Sequence, residues 1–132
     1  MTARRVVPNV RTTATGMRRS AEFYGLLGFQ EVMNLGWITT LASPTAPEAT
    51  QVSFLTHDLT APVVPDVSVE VDDVDTAYAA VLESGAEIVY PLRDEEWGVR
   101  RFFVRDPAGR VVNVLGHHRP AGPSAPEAPS AP

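Results

Sequence analysis

The chain contains no cysteine, so it holds no disulfide framework, no thiolate nucleophile and no cysteine-ligated metal. Aromatic residues are few, at 2 Trp, 3 Tyr and 5 Phe, which limits the stacking surface from which a ligand site can be built. No apolar run approaches the roughly 20 residues that cross a bilayer as a helix. The opening MTARRVVPNV has a basic pair but no apolar stretch of the secretory kind behind it, so a cytoplasmic protein with no membrane partner is expected. Basic residues are also short, with 11 Lys and Arg against 16 Asp and Glu, a formal net charge of −5 and a pI near 5.1. A nucleic-acid partner, which normally demands a basic face, is therefore not expected. The paired arginines at 4 and 5, 18 and 19, and 100 and 101 are dispersed along the chain, and at least the first two pairs read as solvated surface.

What is present is the composition of an ordinary soluble domain, 44% hydrophobic and 20% charged, in a chain of 132 residues that suits one domain with a proper core. The most legible stretch is WGVRRFFVRDPAGRVVNVLGH, residues 97–117. β-branched and aromatic residues run over 99–104, Asp106-Pro107-Ala108-Gly109 supplies a turn, and a second β run follows, so a hairpin is predicted. Alternation sets Arg101 and Phe103 against Phe102 and Val104 on the first strand. On the second it opposes Val112 and Val114 to Val111, Asn113 and Leu115. Asn113 is conspicuous because asparagine is depleted in strands, so it either bonds in a core or looks into a polar-edged cavity.

Read in order, residues 5–13 predict a strand interrupted by Pro8, which implies an edge, a bulge or a crossing arm. A helix then opens at Thr15 or Gly16, places Met17, Ala21, Tyr24 and Leu27 on one stripe, and stops at Gly28. Three short strands follow over 29–34, 37–42 and 50–56. After a linker at 57–64 the plan recurs: a strand over 65–71, a helix capped by Asp73 or Asp75 and stopped by Gly85, a strand over 86–90, and the hairpin. The chain is thus predicted as α+β, with two β-α-β-β-β modules over residues 5–57 and 65–117 in one domain of residues 1–118. Asn9 corresponds to Asp66 and Ser53 to Asn113 between the modules. Residues 119–132, rich in proline and alanine, predict a disordered tail.

The duplicated module, FYGLLGF after the first strand, VEVDDVDTAYAAVLESGAEIV and the closing FFVRDPAGRVVNV together resemble the vicinal oxygen chelate superfamily of glyoxalases, bleomycin-resistance proteins and dioxygenases. The resemblance implies half-barrel sheets wrapped around a ligand cavity, paired in a homodimer with pockets at or near the interface. In metal-dependent members the ligands come from the first and last strands of each module, usually His or Glu. Here the resemblance places those positions at Asn9, Ser53 (or Gln51), Asp66 and Asn113. Only Asp66 is an ordinary carboxylate ligand, so no metal and no other cofactor is expected. His57, in the linker, and the His117-His118 pair read as surface residues rather than ligands, and no nucleophilic triad is legible.

Strand parity and the resemblance point Asn9, Arg11, Ser53, Asp66, Arg101, Phe103 and Asn113 inward, with Trp37, Tyr90 and Trp97 at the walls or mouth. Trp37 and Tyr90 also suit an ordinary core, and Asp66 also suits a structural ion pair with Arg101 or Arg11. Aromatic walls with a few polar groups fit an aromatic or heterocyclic small molecule. Among the superfamily the chain most resembles the metal-free bleomycin-resistance type. That implies an antibiotic or natural-product binder acting by sequestration, with no catalytic residue. The alternative is an enzyme of the superfamily, a lyase, isomerase or dioxygenase, with Asp66 or Glu70 in acid-base work.

Overall fold

A computed structural model of the chain describes residues 1–117; His118 and the predicted tail lie outside the described residues. Two compact units are present among the described residues, one of residues 5–68 and one formed by residues 1–4 with residues 69–117.

In the first unit, β1 (Ala3–Arg11, entering at Arg5) leads into α1 (Ala14–Gly25), then β2 (Gln30–Asn34), β3 (Ile38–Ala42) and β4 (Gln51–Leu55). The strands lie in the order β2-β3-β4-β1, and β1 runs parallel to β4 while the other pairs are antiparallel. The β1 ladder with β4 covers Asn9 to Arg11, directly after Pro8, whose missing N–H would otherwise interrupt it. α1 starts earlier than predicted because Thr13 caps it, its hydroxyl accepting from the Gly16 N–H at 3.0 Å. It also ends earlier, at Gly25, with Gly28 taking the left-handed backbone three residues on. Leu27 therefore falls in the turn and stands 63% exposed, while Met17, Ala21 and Tyr24 pack on Leu41, Val52, Phe54 and Phe29.

In the second unit, β5 (Val67–Val71, entering at Val69) is followed by α2 (Val74–Ser84), β6 (Ile88–Asp94), β7 (Val99–Arg105) and β8 (Val111–His117). The strand order is β5-β8-β7-β6. Asp73, not Asp75, caps α2, accepting from the Thr76 N–H and hydroxyl, and these bonds hold its carboxyl below the usual aspartate range. Asp75 instead meets Arg100 at 2.9 Å. The predicted hairpin is β7 and β8, its turn held by Asp106 Oδ1 accepting from Ala108 and Arg110 N–H, with Gly109 left-handed. Phe102, Val104 and Val114 turn toward α2 and form a core with Val71, Val74 and Ala77. The α+β class and the repeated β-α-β-β-β order are thus present in full.

Candidate functional site

Register decides what the other face of the second unit carries. Phe103 pairs with Asn113, Arg101 with Leu115 and Val99 with His117 across β7 and β8. Tyr90 pairs with Phe103 and Arg93 with Arg101 across β6 and β7. Side chains directly opposite share a face. Since Phe102 and Val114 take the helix side, Tyr90, Arg101, Phe103 and Asn113 line the face away from α2. All four are buried.

The centre of this face is Arg101, 4% exposed. Its guanidinium carbon lies 4.9 Å from the Phe103 ring centre, 5.1 Å from that of Trp97 and 5.3 Å from that of Tyr90. Its Nε stands 2.7 Å from Glu95 Oε2, and the Glu95 side chain is fully buried. The Tyr90 hydroxyl donates to the same oxygen at 3.1 Å, and Arg93 Nε lies 3.0 Å from Oε1. Glu95 is brought there by a tight turn after β6: its N–H bonds the Val99 carbonyl and Gly98, left-handed, bonds back to the Glu95 carbonyl. A buried charge is tolerated when paired and hydrogen-bonded, and three aromatic faces add cation–π attraction.

Further along the same face stands a second polar pair. Val69 and Val71 pack with the α2 core, so alternation turns Glu70 to the other side. Glu70 Oε2 meets His117 Nε2 at 3.3 Å, and His117 Nδ1 is buried with no hydrogen-bond partner among the described residues. His117 was expected as a surface residue; its place opposite Val99 at the end of β8 instead leaves it half-buried against a carboxylate.

The first unit carries its own polar row. Asn9 pairs with Ser53 in the parallel ladder, and Thr40 pairs with Ser53 on the other side, their hydroxyls 2.7 Å apart. The Asn9 amide donates to the Ser68 hydroxyl at 2.9 Å. Asp66 is exposed and precedes β5, and its backbone carbonyl accepts from the Asn9 N–H. Arg11 is likewise exposed at the end of β1, and Arg101 forms an ion pair with Glu95. Gln51, the other candidate on β4, donates its amide to the Pro47 carbonyl. Trp37 is half-buried, its ring 6.2 Å from that of His57, which is exposed.

The structure therefore gathers Tyr90, Trp97, Arg101 and Phe103, with Asn113 opposite Phe103, in the second unit, and sets Asn9 beside Ser53 in the first. Sequence reasoning missed Glu95, Thr40, Ser68 and the engagement of His117. The one signal for Glu95 was an acidic run, DEE, immediately before Trp97-Gly98.

The metal that the resemblance implies does not fit the donors. Asn9, Ser53 and Asn113 offer neutral amides and a hydroxyl, and Asn9 and Ser53 are already engaged with Ser68 and Thr40. Among the described residues, no three His, Asp or Glu side chains are grouped to hold a metal ion.

One family model matches residues 9–114, across both β-α-β-β-β modules. The chain belongs to the Glyoxalase/Bleomycin resistance protein/Dioxygenase superfamily. No individually curated protein matches it. Among solved structures it is similar to a glyoxalase/bleomycin resistance protein/dioxygenase superfamily member from Vibrio splendidus 12B01. That match has 19% identity and a TM-score of 0.61, and covers 88% of this chain and 99% of the other. Methylmalonyl-CoA epimerase from Mycobacterium tuberculosis matches at 19% identity, TM-score 0.56, covering 89% and 88%. A Legionella pneumophila protein described as an NAD-dependent benzaldehyde dehydrogenase matches at 17% identity, TM-score 0.63, covering 86% and 97%. At these identities the likeness is one of fold. Among the described residues no helix is long and apolar enough to cross a membrane.

Proposed function

We propose that this protein binds a small, flat organic molecule, an aromatic antibiotic or natural product, and protects its host by sequestering it rather than transforming it, as a homodimer. The observation that carries this reading is the use of the polar groups. At the strand positions where the superfamily usually has metal ligands, Asn9 and Ser53 are spent on hydrogen bonds to neighbouring hydroxyls. On the second unit's face Arg101 and Glu95 neutralise each other. What such a surface offers a ligand is aromatic area and amide hydrogen bonding, from Trp97, half-buried, and from Asn113. The test is to denature freshly purified protein, identify any released small molecule by mass spectrometry, and titrate that molecule into native protein and Trp97→Ala. Binding without turnover, weakened by about 2 kcal/mol or roughly 30-fold in the variant, is expected. Product formation, or unchanged affinity in the variant, would overturn the reading.

A second reading rests on the Glu70–His117 pair. A carboxylate and an imidazole in contact on one strand face are a competent acid-base couple, and one structural neighbour is described as an epimerase. On this reading Glu70→Gln abolishes solvent deuterium incorporation into a bound substrate; on the sequestration reading no incorporation occurs with either protein.

A further inference from the structure

The three rings and the carboxylate around Arg101 make up a receptor whose occupant is part of the chain. Phe103, Trp97 and Tyr90 place their ring centres 4.9, 5.1 and 5.3 Å from one guanidinium carbon. Glu95 Oε2 lies 2.7 Å from its Nε. The carboxylate does not depend on Arg101 alone for its position, because the Tyr90 hydroxyl donates to Oε2 and Arg93 Nε lies 3.0 Å from Oε1. Arg93 also sits 5.8 Å from the Tyr90 ring centre. Phe103, fully buried, is fixed by β7, and Trp97 by the Gly98 turn. Every wall of the cage is thus held by something other than its occupant. A planar, weakly hydrated, delocalised cation that stacks on rings while bonding a carboxylate in its own plane is the species such walls select, and a compact, strongly hydrated ammonium is not.

We propose that Tyr90, Glu95, Trp97 and Phe103 form a guanidinium-binding site, of which the Arg101 side chain is the tethered ligand. Emptied of that side chain, the site takes a free guanidinium or alkylguanidinium ion from solution. The proposal is independent of whether the face binds an organic molecule, since it concerns only groups the chain supplies.

The test uses the full chain carrying Arg101→Ala together with Trp37→Phe, which leaves Trp97 as the single indole emitter. Methylguanidinium and methylammonium are titrated separately at matched ionic strength, which removes general screening as a cause. A saturable shift of Trp97 emission and a rise in Tm with methylguanidinium are expected, at an affinity about ten-fold or more above that for methylammonium. Adding Glu95→Gln should remove the response. No saturable response in the folded variant, or an equal response to both cations, overturns the proposal. If Arg101→Ala does not fold unaided, refolding yield with each cation is read the same way. In the unaltered chain, nuclear magnetic resonance should find the Arg101 Nε–H exchanging with solvent far more slowly than those of the exposed Arg18 and Arg19; exchange at their rate overturns the proposal.

Discussion

Replacing Glu95 by glutamine removes one charge from the best-enclosed ion pair of the second unit and leaves its shape in place. Glu95 has a fully buried side chain and Arg101 one that is 5% exposed, and they meet at 2.7 Å. Breaking a buried pair by removing one partner typically costs about 3–5 kcal/mol, because the other charge stays enclosed. The three rings around Arg101 continue to attract its cation, by about 0.5–2 kcal/mol each, which places the expected loss at the lower end, about 3 kcal/mol. Urea unfolding followed by far-ultraviolet circular dichroism measures it, with an unchanged m-value showing that the native and unfolded states remain comparable. Glu95→Gln with Arg101→Met should recover part of the loss, since both charges then go together. A cost below about 1 kcal/mol for Glu95→Gln, the worth of a surface pair, would refute the claim that this ion pair is buried. So would a double variant less stable than the sum of the two single ones.

Other perturbations test other levels of the account. Phe102→Ala, at a side chain with no exposure in the α2 core, should cost about 3–5 kcal/mol in the same unfolding experiment. Thr13→Ala should cost about 1 kcal/mol by uncapping α1. Gly109→Val should lower Tm through strain of about 1–3 kcal/mol, because the residue sits at a φ of 88°. Asp73 bears on acid stability. The hydroxyl and then the N–H of Thr76 depress its folded-state pKa below 3.8, so its contribution is present above 3.8 and is lost as pH falls through the folded value. The Tm difference between the protein and Asp73→Ala should therefore be constant near neutrality and shrink toward zero in strong acid.

The hairpin of β7 and β8 was legible because each of its signals is local. Period-two alternation names the faces, and the Asp106 to Gly109 turn fixes the register, so the placement of Arg101 and Phe103 opposite Phe102 and Val104 follows from four neighbouring residues. Module order was legible for the same reason, from caps and turn residues. Part of what escaped depended on contacts between strands far apart in sequence. Asp66 and Asn9 correspond in the repeat, yet β5 starts one residue after Asp66, and it is Ser68, within that strand, whose hydroxyl accepts from the Asn9 amide. His117 reads as a chain-end surface residue until β8 is laid beside β5, where Glu70 meets it. Nothing local singles out Glu95 within Asp94-Glu95-Glu96 until the Gly98 turn is folded and only this one is carried inward. Leu27 continues a helical stripe on paper, but Thr13 and Gly25 bound a helix that stops short of it.

The central claim, that this member of the superfamily binds a small molecule with neutral and aromatic groups rather than through a metal ion, is tested most directly by metal analysis of freshly purified protein. It should be combined with native mass spectrometry and done before any exposure to chelator. A homodimer carrying an organic passenger, with far less than one transition-metal ion per chain, is the expected result. Stoichiometric zinc, iron, manganese or nickel would contradict it, and would mean that Asn9, Ser53 and Asn113 leave room for a metal site that their chemistry argues against.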